Sequence, residues 1–416
     1  MKILVTHVFG YANKGDWILL KSLLDVLEEA FPGAEIRGIC RDPDAQALRF
    51  PKVKWFKQAG VSVRTGIRRR VENVLGLAKA VADYSIAPVL KGSSDAKGLF
   101  GSCFRGVDLV VACPGGYLED SNVSIITNLV HLHMALSTNA PVVLAPQSIG
   151  PFRSNLWAAL TGSLLRRVQR IYVREEHSWK TVVERLGVPR QTVELAVDMA
   201  LYGFESDQAR AEEELRKYEL TPGSYLAATV IDWYFPKSVD PGAARERYIR
   251  ALAGVMRRLW TAHGIRTLLL KQVEAAAGVP GDDAVLNAVQ NLAGEAVVVP
   301  PENYPPEVMQ ALIGASAAFL GSRMHSSVFA MQQGVPFVGI GYLPKTHGIM
   351  SMFGLGDYVC PIEEVSEDIL YGMLVSAMSD RERFLSAQAS IRHQGGEARA
   401  KLIRALTGFV RQPAAA

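Results

Sequence analysis

Cysteine is scarce in this sequence, and its spacing excludes two common kinds of site. Only four cysteines occur in 416 residues, at Cys40, Cys103, Cys113 and Cys360. No pair has the CxxC spacing of a zinc knuckle, and scattered cysteines do not make a disulfide framework. We therefore expect a protein of a reducing compartment, the cytoplasm, and no metal site.

Long apolar runs and a strong excess of one charge are also lacking. No apolar run reaches the length of about 20 residues that a transmembrane helix needs. His7 interrupts the apolar start, so a first β-strand is expected there and not a signal peptide. The net charge is only +4, so no nucleic-acid partner is expected. An anionic small ligand or an anionic membrane surface is compatible with this charge.

The sequence does contain a regular alternation of short apolar strands and amphipathic helices, which is typical of α/β folds with parallel sheets. A charged stretch that ends at Thr221-Pro222-Gly223 interrupts this alternation. We therefore predict two Rossmann-like doubly wound domains, 1–205 and 224–395, with a linker at 206–223. The final segment, 396–416, is predicted as a helix and tail long enough to return to the first domain.

The most informative pattern lies between Ala317 and Met350. Two apolar strands flank a short helix that ends at Gly334, and each strand leads into a cationic loop. Because ligands bind at the carboxyl ends of strands in open α/β sheets, we predict an anion site here. The alternative is an ordinary ion pair for the arginine and a core position for the first histidine. The cationic residues are Arg323 and His325 in the first loop, and Lys345 and His347 in the second.

The loop before the first helix has glycines at Gly10 and Gly15, spaced as in a phosphate-binding P-loop. The next residue is Asp16, where that motif needs a lysine to contact the phosphates. A P-loop is therefore excluded. Asp16 is expected to cap the helix or, alternatively, to accept the proton of a substrate hydroxyl.

Polar residues follow other predicted strands as well. Arg174 comes directly after the strand Arg170–Val173, and Asp198 follows Val193–Val197. Arg174 is placed either to bind a carboxylate or phosphate, or to form an ion pair with a neighbour such as Glu175.

A basic amphipathic helix is predicted at 63–78, with Arg64, Arg68, Arg69 and Arg70 on one face. Three interpretations fit this pattern: a solvated face, contact with an anionic membrane surface, or contact with a pyrophosphate-bearing acceptor.

In their order along the chain, these motifs resemble those of the polysaccharide pyruvyltransferases. The matching segments are Asn13-Lys14-Gly15-Asp16, Pro114-Gly115-Gly116, Gln147-Ser148-Ile149-Gly150-Pro151-Phe152, Val173-Arg174-Glu175 with Ser178, Asp198, Ser322-Arg323-Met324-His325, and Tyr342 with Lys345. The resemblance covers most of the chain. It implies a GT-B-like fold, in which two Rossmann-like domains face each other across a cleft, with the acceptor expected on the side of 1–205 and the donor on the side of 224–395. It also implies transfer of pyruvate from phosphoenolpyruvate onto a sugar as a ketal, without a cofactor.

The resemblance assigns roles to individual residues. His325 resembles the general acid, and Asp16 or Asp198 is the candidate base. Arg174, Arg323, Lys345 and the backbone of Met324 resemble ligands of the donor. The other residues expected to bind substrate are Asn13, Gly115, Gly116, Gln147 and Ser148.

Two other functions fit the same pattern. One is a GT-B glycosyltransferase with a nucleotide-sugar donor, and the other is a non-catalytic protein that binds anions or glycans. For the pyruvyltransferase, the expected partners are phosphoenolpyruvate and a sugar acceptor, which is free, nucleotide-linked or lipid-linked. A lipid-linked acceptor would suit peripheral contact with the inner face of the membrane through the basic helix.

Overall fold

The chain divides into two compact units. The computed structural model describes residues 1–59, 75, 101–120, 124–275 and 281–411. The first unit comprises Met1–Tyr11, Leu19–Met199 and Glu397–Ala416, and the second comprises Ala12–Ile18 and Ala200–Gly396. The predicted basic helix at 63–78 lies outside the described residues except for Leu75, so it stays a prediction.

A parallel sheet forms the centre of the first unit. Its strands are β1 (Lys2–Thr6), β2 (Glu35–Cys40), β3 (Lys54–Lys57), β4 (Leu109–Ala112), β5 (Gly115–Leu118), β6 (Val142–Ile149), β7 (Arg170–Val173) and β8 (Val193–Leu195). They lie in the order β3-β2-β1-β4-β6-β7-β8, and β5 pairs with β6. The order reverses at β1, as in doubly wound folds.

The helices of the first unit bury the apolar side chains of this sheet. In the described ranges up to residue 199 they are α1 (Lys14–Ala30), whose first five residues belong to the second unit, α2 (Pro43–Arg49), α3 (Ser124–Leu136), α4 (Asn155–Leu165) and α5 (Glu176–Lys180). A π-helical turn, Thr181–Arg185, continues α5. Leu4, Val110, Leu144 and Ile171, from four adjacent strands, are fully buried in one core. Strands with such continuous apolar runs are typical of parallel sheets that are covered on both faces.

The second unit repeats this architecture. Its strands are β9 (Tyr225–Thr229), β10 (Arg266–Leu270), β11 (Val297–Val298), β12 (Ala318–Gly321), β13 (Phe337–Gly341) and β14 (Val359–Pro361). All are parallel, in the order β11-β10-β9-β12-β13-β14. The prediction of two Rossmann-like domains is confirmed.

Besides the first turn of α1, eight α-helices belong wholly or partly to the described part of the second unit. They are α6 (Gln208–Lys217), α7 (Pro241–His263), α8 (Asp283–Ala293), α9 (Pro306–Gly314), α10 (Met324–Gln333), α11 (Pro344–Met352), α12 (Glu367–Ser379) and α13 (Arg381–Arg411). From Glu397 onwards α13 belongs to the first unit, where Arg399 pairs with Glu29. Within the described ranges, no helix is both long and apolar enough to cross a membrane.

Residues 206–223, predicted as a linker, contain a packed helix instead. Asp207 caps α6 by accepting a hydrogen bond from the Arg210 amide, and Leu215 is buried. Glu214 accepts a hydrogen bond from the buried Tyr304 hydroxyl at 2.7 Å. The charged composition of this segment belongs to the outer face of an amphipathic helix, whose apolar positions are too few to predict packing from the sequence.

All four cysteines are buried, and none forms a disulfide. Burial raises the pKa of Cys40 and Cys103 to about 12 and that of Cys360 to about 11. These three thiols are therefore protonated at neutral pH, and a protonated thiol is a poor nucleophile.

Candidate active site

Buried hydroxyl groups hold the loop that follows β12. The Tyr248 hydroxyl, from α7, donates a hydrogen bond to Ser322 Oγ at 2.7 Å. Ser326 Oγ donates to the carbonyl oxygen of Arg323 at 2.7 Å and lies 2.9 Å from Thr229 Oγ1. Because buried polar groups are costly to leave unpaired, this network strongly favours one conformation of the loop.

Arg323 forms an ion pair with Asp282, a residue that the motif analysis did not select. Arg323 Nη2 donates to Asp282 Oδ1 at 2.5 Å, and the two side chains are 19% and 0% exposed. The other carboxylate oxygen, Asp282 Oδ2, accepts a hydrogen bond from the Val273 amide at 2.7 Å. The carboxylate thereby fixes the orientation of the guanidinium group.

The charge of Arg323 survives its burial. Burial lowers the pKa of Arg323, but Asp282 and the hydroxyls of Tyr342 and Tyr248 outweigh it, so the pKa is raised overall. Burial raises the pKa of Asp282, although Arg323 opposes this. Arg323 Nε has no hydrogen-bond acceptor among the described residues. The ion-pair interpretation of Arg323 is therefore right for this structure, and the same pair leaves one guanidinium donor unused.

His325 packs directly against Gly15. A Cβ atom added at Gly15 would lie 2.1 Å from His325 Nδ1 and 2.8 Å from His325 Cγ. Gly15 lies in the first turn of α1, where its backbone conformation suits any residue, so the requirement for glycine comes from space alone. The structure therefore brings together two of the motifs identified in the sequence.

The N-terminal motif is held against the segment that follows β10. The Lys14 amide donates to the carbonyl oxygen of Gln272 at 3.2 Å, and the Glu274 amide donates to that of Ala12 at 2.8 Å. The Lys14 ammonium is fully buried and pairs with Glu274 Oε1 at 2.5 Å. These contacts fix the position of Gly15, and thereby the wall against which His325 lies.

The cap of α1 is Asn13 and not Asp16. Asn13 Oδ1 accepts a hydrogen bond from the Gly15 amide at 3.0 Å, whereas Asp16 lies in the first turn of the helix. The capping interpretation of Asp16 is therefore wrong, because the helix begins two residues earlier than the sequence pattern indicates. Asp16 still complements the positive end of the helix dipole, and it is partly exposed.

Met324 is the first residue of α10 and is almost fully buried. The first backbone amides of a helix have no partner within it, and the side chain of the N-cap residue, Arg323, makes no capping hydrogen bond here. The Met324 amide is therefore a hydrogen-bond donor at the positive end of α10.

The predicted second cationic loop is helical. Lys345 is the second residue of α11, which begins at Pro344, a favourable residue for a first helical turn. His347 is exposed on this helix, and its Nδ1 lies 3.2 Å from Ser351 Oγ.

The first unit contains a second arginine site, at the end of β7. Arg174 Nη1 donates to Asp198 Oδ2 at 2.7 Å, and the two side chains are only 2% and 1% exposed. Arg174 Nε donates to Ser148 Oγ at 2.8 Å and lies 3.6 Å from Glu175 Oε2. Burial lowers the pKa of Arg174, but Asp198 and Glu175 reverse the shift, so that the pKa is raised. Asp198 is therefore an ion-pair partner in this structure.

The glycine-bearing motif of the first unit lies beside this arginine. A Cβ atom at Gly116 would lie 3.7 Å from Arg174 Nη2, an ordinary contact. Gly115 has φ +153° and a Cβ there would lie 2.2 Å from the Tyr117 ring, so this position requires glycine. The two residues begin β5, a strand that the sequence analysis did not predict. Gln147 is fully buried and donates through Nε2 to the carbonyl oxygen of Cys113 at 2.9 Å.

The predicted site residues therefore form two groups, each within one unit. Asn13, Asp16, Arg323, Met324, His325 and Lys345 belong to the second unit, and Gly115, Gly116, Gln147, Ser148, Arg174 and Asp198 to the first. The sequence analysis did not select Asp282, because it belongs to none of the motifs.

No metal-binding cluster is found in the described ranges, since no three His, Cys, Asp or Glu side chains there could hold an ion together. The prediction of a reaction without a metal or cofactor stays a prediction.

The fold of this chain is similar over nearly its whole length to that of several solved structures. A putative UDP-N-acetylglucosamine 2-epimerase from Listeria monocytogenes has a TM-score of 0.64 and 11% identity, over 99% of this chain and 97% of that chain. UDP-GlcNAc 2-epimerase from Neisseria meningitidis, bound to UDP-GlcNAc, has a TM-score of 0.59 and 13% identity, over 98% and 100%. A UGT transferase from Siraitia grosvenorii in complex with UDP has a TM-score of 0.56 and 11% identity, over 99% and 100%. These likenesses establish the GT-B fold alone.

Sequence comparison identifies the family. The chain is 20% identical over 402 residues to the amylovoran biosynthesis protein AmsJ of Erwinia amylovora. The aligned region covers 92% of this chain and 93% of the relative. The sequence profile described as polysaccharide pyruvyl transferase matches residues 13–344, from the N-terminal motif to the start of α11. The resemblance of the motifs is thereby confirmed, and the chain belongs to the polysaccharide pyruvyl transferase family.

Proposed function

We propose that this protein transfers the enolpyruvyl group of phosphoenolpyruvate onto two hydroxyls of a sugar, forming a pyruvate ketal and releasing phosphate. The observation that carries the proposal is that His325, two residues after Arg323, packs against Gly15, while Asp282 orients the Arg323 guanidinium. This arrangement combines a titratable imidazole with a fixed cation, which are the two groups that the reaction requires.

The proposed reaction begins with proton transfer from the His325 imidazolium to the methylene carbon of phosphoenolpyruvate. C2 becomes electrophilic, and one sugar hydroxyl forms a C–O bond to it and gives up its proton to a base. The second hydroxyl then forms the other C–O bond as the bond between C2 and the phosphate oxygen breaks. Its proton leaves with the phosphate, so the sum is diol plus phosphoenolpyruvate to ketal plus inorganic phosphate.

Arg323 and the first turn of α10 are proposed to bind the anionic donor. The Arg323 guanidinium is oriented by Asp282 and has an unused donor at Nε. The Met324 amide adds a neutral donor at the positive end of the helix. Fixed donors of this kind stabilise the charge that develops on departing phosphate. Lys345 is proposed as a further donor-binding cation, on the strength of the family motif alone.

Asp16 is proposed as the base for the sugar hydroxyls. It directly follows Gly15, the residue against which His325 packs, and it is partly exposed and so open to a substrate. Asp198 is less suited to this role, because its carboxylate is buried against Arg174. We propose instead that Asp198 orients Arg174, which binds substrate together with Ser148, Gln147, Gly115 and Gly116.

The acceptor is proposed to be a sugar of a polysaccharide or of its precursor. A lipid-linked precursor would bring the protein to the cytoplasmic face of the membrane, and the basic helix predicted at 63–78 would supply the contact. Binding to vesicles of anionic phospholipid should then fall when Arg68, Arg69 and Arg70 are replaced by Gln. Unchanged binding would rule out this membrane contact.

The proposed reaction can be tested by incubating the full chain with phosphoenolpyruvate and a panel of bacterial glycans. Release of inorganic phosphate and appearance of an acid-labile acidic substituent on the glycan are expected together. His325→Gln should lower kcat by about 100-fold or more, because it removes the general acid. His263→Gln is the matched control, since His263 ends α7 and contacts Tyr371.

Parallel reactions with UDP-sugars distinguish the rival transferase. Turnover of a UDP-sugar without turnover of phosphoenolpyruvate would overturn the proposal. Full activity of the His325→Gln variant would overturn the proposed role of His325 as the acid. Glycan binding without any turnover, unaffected by this substitution, would identify a non-catalytic glycan-binding protein.

A further inference from the structure

Two aromatic residues meet over the end of β12. Trp233 lies in the segment after β9, and Tyr342 directly follows β13. These strands are the two neighbours of β12 in the sheet. The Trp233 and Tyr342 ring centroids lie 4.7 Å apart at 52°. The rings therefore come together at the strand end that delivers Arg323.

A third ring extends this surface. Tyr234 lies 4.5 Å from Trp233 between ring centroids, at 45°, and is 68% exposed. We call Trp233, Tyr234 and Tyr342 the aromatic cluster. Its Tyr342 hydroxyl is close enough to Arg323 to contribute to the raised pKa of the guanidinium. A ligand held by Arg323 would therefore have aromatic rings beside it.

The aromatic cluster is not part of the hydrophobic core. The same segment has a separate core residue, Phe235, which is buried and packs against Tyr248 with ring centroids 6.0 Å apart. Trp233 and Tyr342 are only partly buried, although large aromatic side chains gain most when they are fully removed from water. Packing of this segment is thus achieved by Phe235, and the aromatic cluster is left at the surface.

The indole of Trp233 also has an unused donor. Its Nε1 is shielded from water and has no acceptor within the described part of the chain. A tryptophan N–H in such a place normally has a partner. A small shift of the ring on ligand binding would let it donate to a ligand oxygen. Beside it, Asp232 and Arg245 form a partly exposed ion pair at 2.8 Å, which adds charged hydrogen-bonding groups at the rim.

We propose that the aromatic cluster is the subsite for the acceptor sugar, with one face of a pyranose ring stacked on Trp233 and Tyr342. This inference rests on the proposed function in taking the acceptor to be a sugar, and it adds the place where that sugar binds. A pyranose has an apolar face of C–H groups and a rim of hydroxyls. The aromatic rings bury that face, and the indole N–H and the ion pair at the rim bind the hydroxyls. The hydroxyls of a ring stacked there lie next to a donor held by Arg323.

The experiment measures glycan binding without phosphoenolpyruvate, so it does not depend on the proposed reaction. The full chain is applied to an array of immobilised bacterial oligosaccharides that lack pyruvate. Trp233→Ala should weaken retention about tenfold or more, which corresponds to the loss of a stacking contact. Trp233→Phe keeps an aromatic face and should retain most of the binding. Trp260→Ala is the matched control, because Trp260 is an exposed tryptophan on α7 that contacts Arg266.

The outcomes separate this inference from the proposed function. Loss of glycan binding in Trp233→Ala, with no turnover of phosphoenolpyruvate by the native protein, would support the subsite and reject the pyruvyl transfer. If the native protein does turn over phosphoenolpyruvate, the KM for the glycan should rise about tenfold in Trp233→Ala. The KM for phosphoenolpyruvate should stay unchanged. If Trp233→Ala binds the oligosaccharides as strongly as the native protein does, the inference is wrong. It is also wrong if the native protein binds none of them. Competition by uridine but by no oligosaccharide would equally overturn it, since the rings would then stack a nucleobase.

Discussion

Gly15 and His325 occupy adjoining space so closely that no side chain fits between them. A Cβ atom added at residue 15 would lie only 2.1 Å from Nδ1 of the imidazole, which is closer than real contacts allow. Gly15 belongs to the N-terminal motif and His325 to the motif after β12, and both belong to the second unit. The glycine therefore sets the position of the proposed general acid.

Gly15→Ala should displace the imidazole and lower the rate of pyruvyl transfer. A displacement of about 1 Å at a catalytic group costs roughly 100-fold in rate. Thermal stability should change little by comparison, because alanine suits a helix. Two quantities are measured for each variant: kcat for phosphate release and the melting temperature. Gly372→Ala is the control, since a Cβ at this exposed helical position meets nothing within 4 Å. Native activity of Gly15→Ala would show that the imidazole position is unimportant.

Arg323→Lys should weaken binding of phosphoenolpyruvate although it keeps the positive charge. Lysine cannot pair with Asp282 and present a second planar donor to a ligand at the same time. The KM for phosphoenolpyruvate should rise about tenfold or more. Arg250→Lys, at a 73% exposed position paired with Glu246, should have no effect. An unchanged KM in Arg323→Lys would mean that the guanidinium does not bind the donor.

Asp198→Asn should destabilise the first unit. Removing one partner of a buried ion pair leaves the other charge uncompensated, which costs about 3 kcal/mol. Glu175, at 3.6 Å from Arg174, offsets part of this loss. The free energy of unfolding can be measured with urea and compared with that of Glu246→Gln, which breaks an exposed pair. If the free energy of unfolding decreases equally little in both variants, the Arg174–Asp198 pair does not stabilise the fold.

The free energy of unfolding should decrease as the pH decreases, because two buried histidines bind protons only after the chain unfolds. Burial lowers the pKa of His7 to about 4 and that of His131 to about 3, against 6.5 for an unperturbed histidine. The unfolded chain therefore takes up protons first as the pH falls below 6.5. Each histidine should cost about 1 kcal/mol of stability per pH unit between pH 6 and pH 4.5.

His131→Gln isolates this contribution. Its free energy of unfolding, measured by urea denaturation at several pH values, should depend less steeply on pH than that of the native protein. His177→Gln, at the surface, is the matched control. An identical slope in native protein and His131→Gln would refute the prediction.

Much of the fold followed from local patterns. The apolar strand Arg170–Val173 was predicted with correct bounds, because it depends on side chains within a few residues. The pattern was less informative where the chain is polar or rich in glycine. Helix α6 and strand β5 were missed because their formation depends on packing against distant segments.

The candidate site shows a similar division. The motifs selected His325, Arg323 and Arg174, since residue types and strand ends are visible in a single sequence. Their partners were not visible. Asp282 had no special spacing, and the aromatic residue Trp233 belonged to no motif, so nothing local linked either of them to the loop after β12.

By itself the sequence determined the class of fold, the family and the set of chemical groups available, because these depend on periodicity and on motif order. Only the tertiary structure decided which of those groups touch. It placed Lys14–Ile18 in the second unit and packed Gly15 against His325, and it paired each arginine with one particular carboxylate. The physical reason is that contacts between residues distant in sequence are decided by how whole elements pack, which no local pattern encodes.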